Sequence, residues 1–82
     1  MGVGEVFARA GEVFLSRNDT YKDSWKKMNV IDILDGTKYK IARAKAMIES
    51  GCPREKVIDD LLDAMNYLAL TIMKLDGKGE KG

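Results

Sequence analysis

The sequence has no histidine, one cysteine, one proline and few aromatic residues among its 82 residues. A single cysteine, Cys52, excludes an intramolecular disulfide and argues against a disulfide-stapled secreted domain. Without histidine or paired cysteines, the chain lacks the ligands of a structural zinc site and the base of a Ser-His-Asp triad. Any metal would therefore be a hard cation such as Mg2+ or Mn2+, held by carboxylates.

The sequence also lacks an excess of charge of either sign and a long apolar run. Fourteen lysines and arginines face thirteen acids, and the resulting net charge of +1 gives no general attraction for nucleic acid. The longest apolar run, residues 67–73, is far shorter than the roughly 20 residues that span a bilayer. With no recognisable signal peptide, these absences predict a cytoplasmic protein with neither membrane nor nucleic acid as partner.

Helical periodicity is what the sequence does contain. The spacing of apolar residues predicts a first helix over 3–16, a short helical turn over 29–36 that begins at Asn29 and stops at Asp35-Gly36, and a helix over 37–50 that Thr37 caps. A last helix is expected from near Pro53 to Leu75, with Gly77 as its end.

No segment alternates as a strand would, so the predicted fold class is all-α: a small bundle of three main helices plus a short helical turn. Residues 1–77 form a single helical domain in this prediction, and residues 78–82 form a flexible tail. A chain of this length buries only about 60% of its unfolded surface. We therefore expect homo-oligomerisation, as a homodimer or tetramer, to complete the bundle.

The last helix carries two contrasting faces. Its apolar arc covers nearly half the circumference and predicts a central helix that contacts two or more neighbours; the arc comprises Val57, Ile58, Leu61, Leu62, Met65, Leu68, Ile72 and Leu75. The opposite arc holds three acids and no cation before Lys74; it comprises Asp59, Asp60, Asp63, Asn66, Tyr67 and Leu70. This second face is interpreted either as a solvated surface or as the wall of a cation site.

Asp60 and Asp63 lie three residues apart and Asp59 and Asp63 lie four apart, so the carboxylates of either pair can reach one ion. A third carboxylate would improve an Mg2+ site, and Glu12 on the first helix is the candidate. The basic helix over 37–50 admits two interpretations as well. Lys38 and Arg43 are candidates for holding phosphates, whereas the remaining lysines, Lys40 and Lys45, are expected to balance the acidic helix.

Three segments in order, "RNDTYKDSW", "KYKIARAKAM" and "DDLLDAMNYLAL", resemble the nucleotide-modification-associated domain of phages and microbes. That family is similar in turn to the all-α, MazG-like nucleoside triphosphate pyrophosphohydrolases, and the resemblance covers roughly residues 12 to 73. It implies a metal-dependent helical enzyme that cuts NTPs to NMP and pyrophosphate and works as a dimer or tetramer.

By position, the resemblance implies metal binding by Asp60 and Asp63, and a loop motif at Tyr21 and Trp25. The nucleotide and phosphate ligands it implies are Lys38, Arg43, Asn66, Tyr67 and Tyr21. The chain departs from the family at Lys22, where glycine is usual. It also departs at the early glutamate pair, since Glu5 and Glu12 are seven residues apart rather than three.

Two functions stay open at this point. The leading one is a nucleotide-binding, MazG-like protein with Mg2+ (or Mn2+) as cofactor and with NTP pyrophosphohydrolase as its candidate activity. The alternative is a non-catalytic helical oligomerisation module of viral type, in which Tyr67 and Leu70 form the interface.

Overall fold

The computed structural model describes residues 1–17 and 24–77, without the side chains of residues 24 and 25. Its four helices are α1 (Val3–Ser16), α2 (Ser24–Lys27), α3 (Val30–Glu49) and α4 (Arg54–Asp76). The described residues include no strand, which confirms the all-α prediction. Tyr21, Lys22 and the tail over 78–82 lie outside the described residues. None of the described helices combines the length and apolar character needed to cross a bilayer.

The bounds of α1, the start of α3 and the end of α4 follow local sequence signals. α1 has the predicted bounds. The Asn29 side chain accepts a hydrogen bond from the Asp32 backbone N–H at 2.8 Å and so begins α3. Gly77 ends α4 with φ of 76°, a left-handed conformation that costs glycine little. These ends were predictable because each depends on residues within one turn.

The predicted stop at Asp35-Gly36 is wrong, because α3 is one helix of 20 residues. Gly36 lies inside it, where an added Cβ would be 3.1 Å from Tyr67 Cε2. The glycine thus permits the α4 tyrosine to approach the α3 backbone closely. Thr37 is also internal rather than a cap, and its hydroxyl donates to the Ile33 carbonyl at 3.0 Å. Packing against α4 offsets the roughly 1 kcal/mol that a helical glycine costs.

The hydrophobic core is small. Ile33 of α3 and Leu70 of α4 form its centre, and Phe14 and Tyr67 pack against them while partly buried. α4 packs most extensively against α3 and to a smaller extent against α1. The other buried apolar residues are Ala10, Ala44, Val57, Leu62 and Ala64. Because three of these are alanines, the core contains few of the large side chains that contribute about 1.5 to 3 kcal/mol each.

The orientation of α4 differs from the prediction. The apolar residues Leu61, Leu68, Ile72 and Leu75 are exposed, although Val57 and Leu62 are buried. The acidic face is turned inward instead, against cations of α3. The predicted contact of α4 with two neighbours is confirmed, but half of the apolar arc is exposed, and a solvated surface is wrong for most of the acidic arc. Charge pairing between helices makes the burial of acids tolerable.

Candidate functional site

Two aspartates of α4 and three cations form a charge cluster, which comprises Asp60, Asp63, Arg17, Lys40 and Arg43. Asp60 and Asp63 are only 4% and 7% exposed. Their spacing of three residues places both carboxylates on one side of α4. The cations come from two other places, the residue after α1 and the middle of α3, so the cluster lies where all three long helices meet.

Lys40 bridges the two aspartates. Its Nζ donates to Asp63 Oδ2 at 3.2 Å and lies 3.8 Å from Asp60 Oδ1. Arg17 Nη1 donates to the other oxygen of Asp63. Asp63 therefore has a charge-assisted hydrogen bond at each oxygen, the stronger class of hydrogen bond in proteins.

Asp60 is less well satisfied. Arg43 Nε lies 3.0 Å from Asp60 Oδ2, yet that oxygen has no hydrogen-bond partner among the described residues. The contact is thus an ion pair and not a hydrogen bond, because a hydrogen bond requires a suitable N–H···O angle as well as a short distance. A buried carboxylate oxygen without a hydrogen bond is costly. Because this oxygen is covered, a donor or a cation could reach it only if the Arg43 side chain moved.

The cluster has one net positive charge, because three cations face two carboxylates. The side chains of Arg17 and Arg43 are 45% and 51% exposed, whereas that of Lys40 is 19% exposed. An anion from solvent can therefore reach the arginine side chains more easily than the buried aspartates. Apolar residues often replace buried ion pairs at no loss of stability. Stability alone thus gives little reason for this cluster.

Sequence-based candidates are only partly brought together here. Asp60, Asp63 and Arg43 meet, and Lys40 has the balancing role expected of it. Arg17 was missed, since it lies 46 residues from its partner and no local pattern marks it.

Two other candidates lie apart from the cluster. Lys38 and Glu12 are exposed. No group of three metal-ligating side chains forms within residues 1–17 and 24–77, so Glu12 does not complete a three-carboxylate site there. Metal binding by Asp60 and Asp63 stays a prediction.

Asn66 and Tyr67 occupy different surroundings. Asn66 is 4% exposed, and its Nδ2 has no hydrogen-bond partner in the described part of the chain. Tyr67 is half-buried against the core and Gly36. Leu70 is 2% exposed at the centre of the core, so the predicted place of Leu70 in an interface is wrong, whereas that of Tyr67 stays a prediction.

The charge cluster brings together oppositely charged side chains of α3, α4 and the residue that follows α1. Arg43, whose side chain is 51% exposed, is the member of this cluster that a ligand can reach most easily. No protein-family model, curated protein or solved structure matches the chain.

Proposed function

We propose that the charge cluster binds the phosphate groups of a nucleotide. The observation that carries this proposal is the convergence of Arg17, Lys40 and Arg43 on two buried aspartates, with both arginine side chains half-exposed. Guanidinium groups present forked donors that match phosphate oxygens. The net positive charge of the cluster favours an anion over a cation as the first ligand.

Binding would proceed by exchange of partners. Asp60 and Asp63 neutralise the cations when no ligand is bound, and phosphate oxygens compete with them for the same donors. Arg43 is the easiest donor to redirect, because its contact with Asp60 is not a hydrogen bond and its side chain is 51% exposed. Lys40, which is more buried, would keep Asp63 in place.

The aspartates suit an Mg2+ ion that arrives with the nucleotide. Mg2+ is commonly held by one or two carboxylates together with substrate phosphates, and Asp60 Oδ2 has unused acceptor capacity. Asp60 and Asp63 would hold the ion. Bound there, it would supply charge neutralisation and an activated water. The candidate reaction is the one implied by the MazG-like resemblance, in which water cleaves an NTP to NMP and pyrophosphate.

Thermal unfolding with and without nucleotide tests the binding. Each common NTP and dNTP would be added with Mg2+ or with EDTA, and pyrophosphate release would be measured in parallel. We expect at least one nucleotide to raise the Tm, since a ligand at 100 times its Kd stabilises by about 2.7 kcal/mol. A Tm shift without pyrophosphate would support binding and refute the hydrolase activity. If no nucleotide shifts the Tm, the proposal is wrong.

Matched variants locate the site. Arg43→Gln should weaken nucleotide binding at least tenfold, whereas Arg54→Gln, which changes an exposed arginine at the start of α4, should not. Asp60→Asn should remove the Mg2+ dependence of the Tm shift, and Asp59→Asn, next to it but exposed, should retain it. Equal effects of the paired variants would place the nucleotide elsewhere.

A further inference from the structure

We propose that the exposed apolar side of α4 packs into the groove between α1 and α4 of a second copy of this chain, so that two copies form a two-fold dimer. This proposal does not depend on nucleotide binding. It rests on two features of the same surface. They are here called the α4 seam, comprising Leu61, Met65, Leu68, Ile72 and Leu75, and the α1–α4 groove.

The α4 seam has the spacing of a helix–helix contact. Its residues alternate by four and three positions over two heptads, the pattern that packs one helix along another. Ile72 and Leu75 are 65% and 69% exposed, and Leu61 and Leu68 are each more than 40% exposed. Among the described residues, Ile72 and Leu75 are the least covered members of this stripe, so they are the most available for another helix.

The α1–α4 groove has a volume of about 390 Å3. Among the described residues, no charged side chain lines it, and the lining residues are Phe7, Ala10, Gly11, Met65, Asn66, Leu68, Ala69 and Ile72. A Cβ added to Gly11 would meet no described atom within 4 Å, so packing within the described part of the chain does not require glycine there. The small residues at 10, 11 and 69 leave room for a side chain of an approaching helix.

Asn66 is the polar residue among those that line this groove. Its side chain is buried, and Nδ2 is itself covered and lacks an acceptor among the described residues. A single polar side chain beside an apolar helix contact favours one register of packing.

A second copy fits this surface better than a different partner. Met65, Leu68 and Ile72 belong to both the α4 seam and the α1–α4 groove, so the surface offers projections and a cavity side by side, as a two-fold interface requires. The absence of charge in the groove gives it no means to select a charged partner. The small core adds a reason, because oligomerisation is a usual remedy in chains of this size.

The available area is of the size a dimer needs. Val3 and Phe7, which lie one turn apart on α1 and are 73% and 64% exposed, extend this surface along α1. Together with Leu68, Ile72 and Leu75 they expose on the order of 500 Å2, taking aromatic side chains at about 150 to 250 Å2 as the scale. Standard interfaces bury about 800 Å2 per partner including their polar rim.

Molar mass in solution tests the dimer. Light scattering after gel filtration should give twice the chain mass for the wild type and for Ile41→Glu, which charges an equally apolar, 50% exposed residue of α3. Ile72→Glu should give a single chain mass with its helical circular dichroism retained. A monomeric wild type would overturn the proposal and leave the surface to another partner. A dimeric Ile72→Glu would overturn it as well.

Cross-linking gives a result even if Ile72→Glu fails to fold. In a Cys52→Ser background, Ile72→Cys treated with a short bismaleimide should yield a covalent dimer. Ile41→Cys, treated in the same way, should remain largely a single chain. Equal yields from the two cysteines would contradict an interface centred on the α4 seam.

Discussion

Asp60 and Asp63, at the scale of single residues, are buried to a similar degree but are bound differently. Asp63 receives hydrogen bonds from two cations, whereas Asp60 has ion-pair contacts and an oxygen without a hydrogen bond. Asp63 therefore contributes more to stability, and Asp60 is better prepared to exchange partners. The sequence gives no sign of this difference, because it depends on Arg17 and Lys40, which are distant along the chain.

Substituting Asp63 should therefore destabilise the fold. Asp63→Asn replaces two charge-assisted hydrogen bonds with weaker ones, and we expect the free energy of unfolding to fall by about 2 kcal/mol. Urea denaturation measures the change. Asp59→Asn, on the exposed side of the same turn, should alter it by no more than about 0.5 kcal/mol. Similar losses in the two variants would contradict the structural role assigned to Asp63.

Gly36 makes a second prediction at this scale. Gly36→Ala gains helix propensity but forces the Tyr67 ring to shift, since the new Cβ would be 3.1 Å from Cε2. We expect a net loss of about 1 kcal/mol in the free energy of unfolding. Gly4→Ala, where a Cβ meets no atom within 4 Å, should be neutral or stabilising by up to about 1 kcal/mol. A stabilised Gly36→Ala would show that the ring moves freely.

At the scale of elements, α4 has its polar face toward α3 and its apolar seam toward solvent. Periodicity correctly predicts which residues share a face, because a helix has fixed geometry. It does not predict which face is buried, since that choice depends on what the neighbouring helix offers. Here α3 offers Lys40 and Arg43 rather than a wide apolar stripe. The end predicted for a helix at Gly36 is wrong for the same reason, because α3 continues through Gly36 where it packs against Tyr67 of α4.

The packing of α3 against α4 should depend more on Lys40 than on Lys38, which lies two residues earlier in α3. Lys40→Met removes the bridge between two buried carboxylates, and removing one partner of a buried ion pair costs about 3 to 5 kcal/mol. Because Asp63 keeps Arg17, we expect the lower end of that range. Lys38→Met changes an exposed residue of α3 and should leave stability within about 0.5 kcal/mol.

Nucleotide affinity separates the two possible roles of Lys38. If Lys38 binds phosphate, as the sequence resemblance implies, Lys38→Met should weaken nucleotide binding while stability stays constant. Unchanged binding would remove Lys38 from the site. Equal destabilisation by Lys38→Met and Lys40→Met would contradict the bridging role of Lys40.

The whole molecule has a small apolar core, a partly buried charge cluster beside it, and an exposed apolar surface. Its stability should therefore depend on its own concentration. We expect the Tm of the wild type to rise with protein concentration, because association favours the folded chain. Ile72→Glu should have a Tm that is lower and independent of concentration. Differential scanning calorimetry over a hundredfold range of protein concentration measures the Tm of both proteins. A constant wild-type Tm would contradict dimer formation.

Arg17 joins the end of α1 to the charge cluster, because it follows α1 directly and contacts Asp63 near the middle of α4. α1 packs against α4 less extensively than α3 does, so we expect α1 to open as a separate cooperative unit with its own, lower free energy. A phosphate that takes Arg17 from Asp63 would lower that free energy further. Amide hydrogens of α1 should then exchange faster with nucleotide bound, while those of α3 and α4 exchange more slowly. Since α1 also forms one wall of the α1–α4 groove, nucleotide and dimerisation would be thermodynamically coupled, each changing the affinity of the other by the same factor.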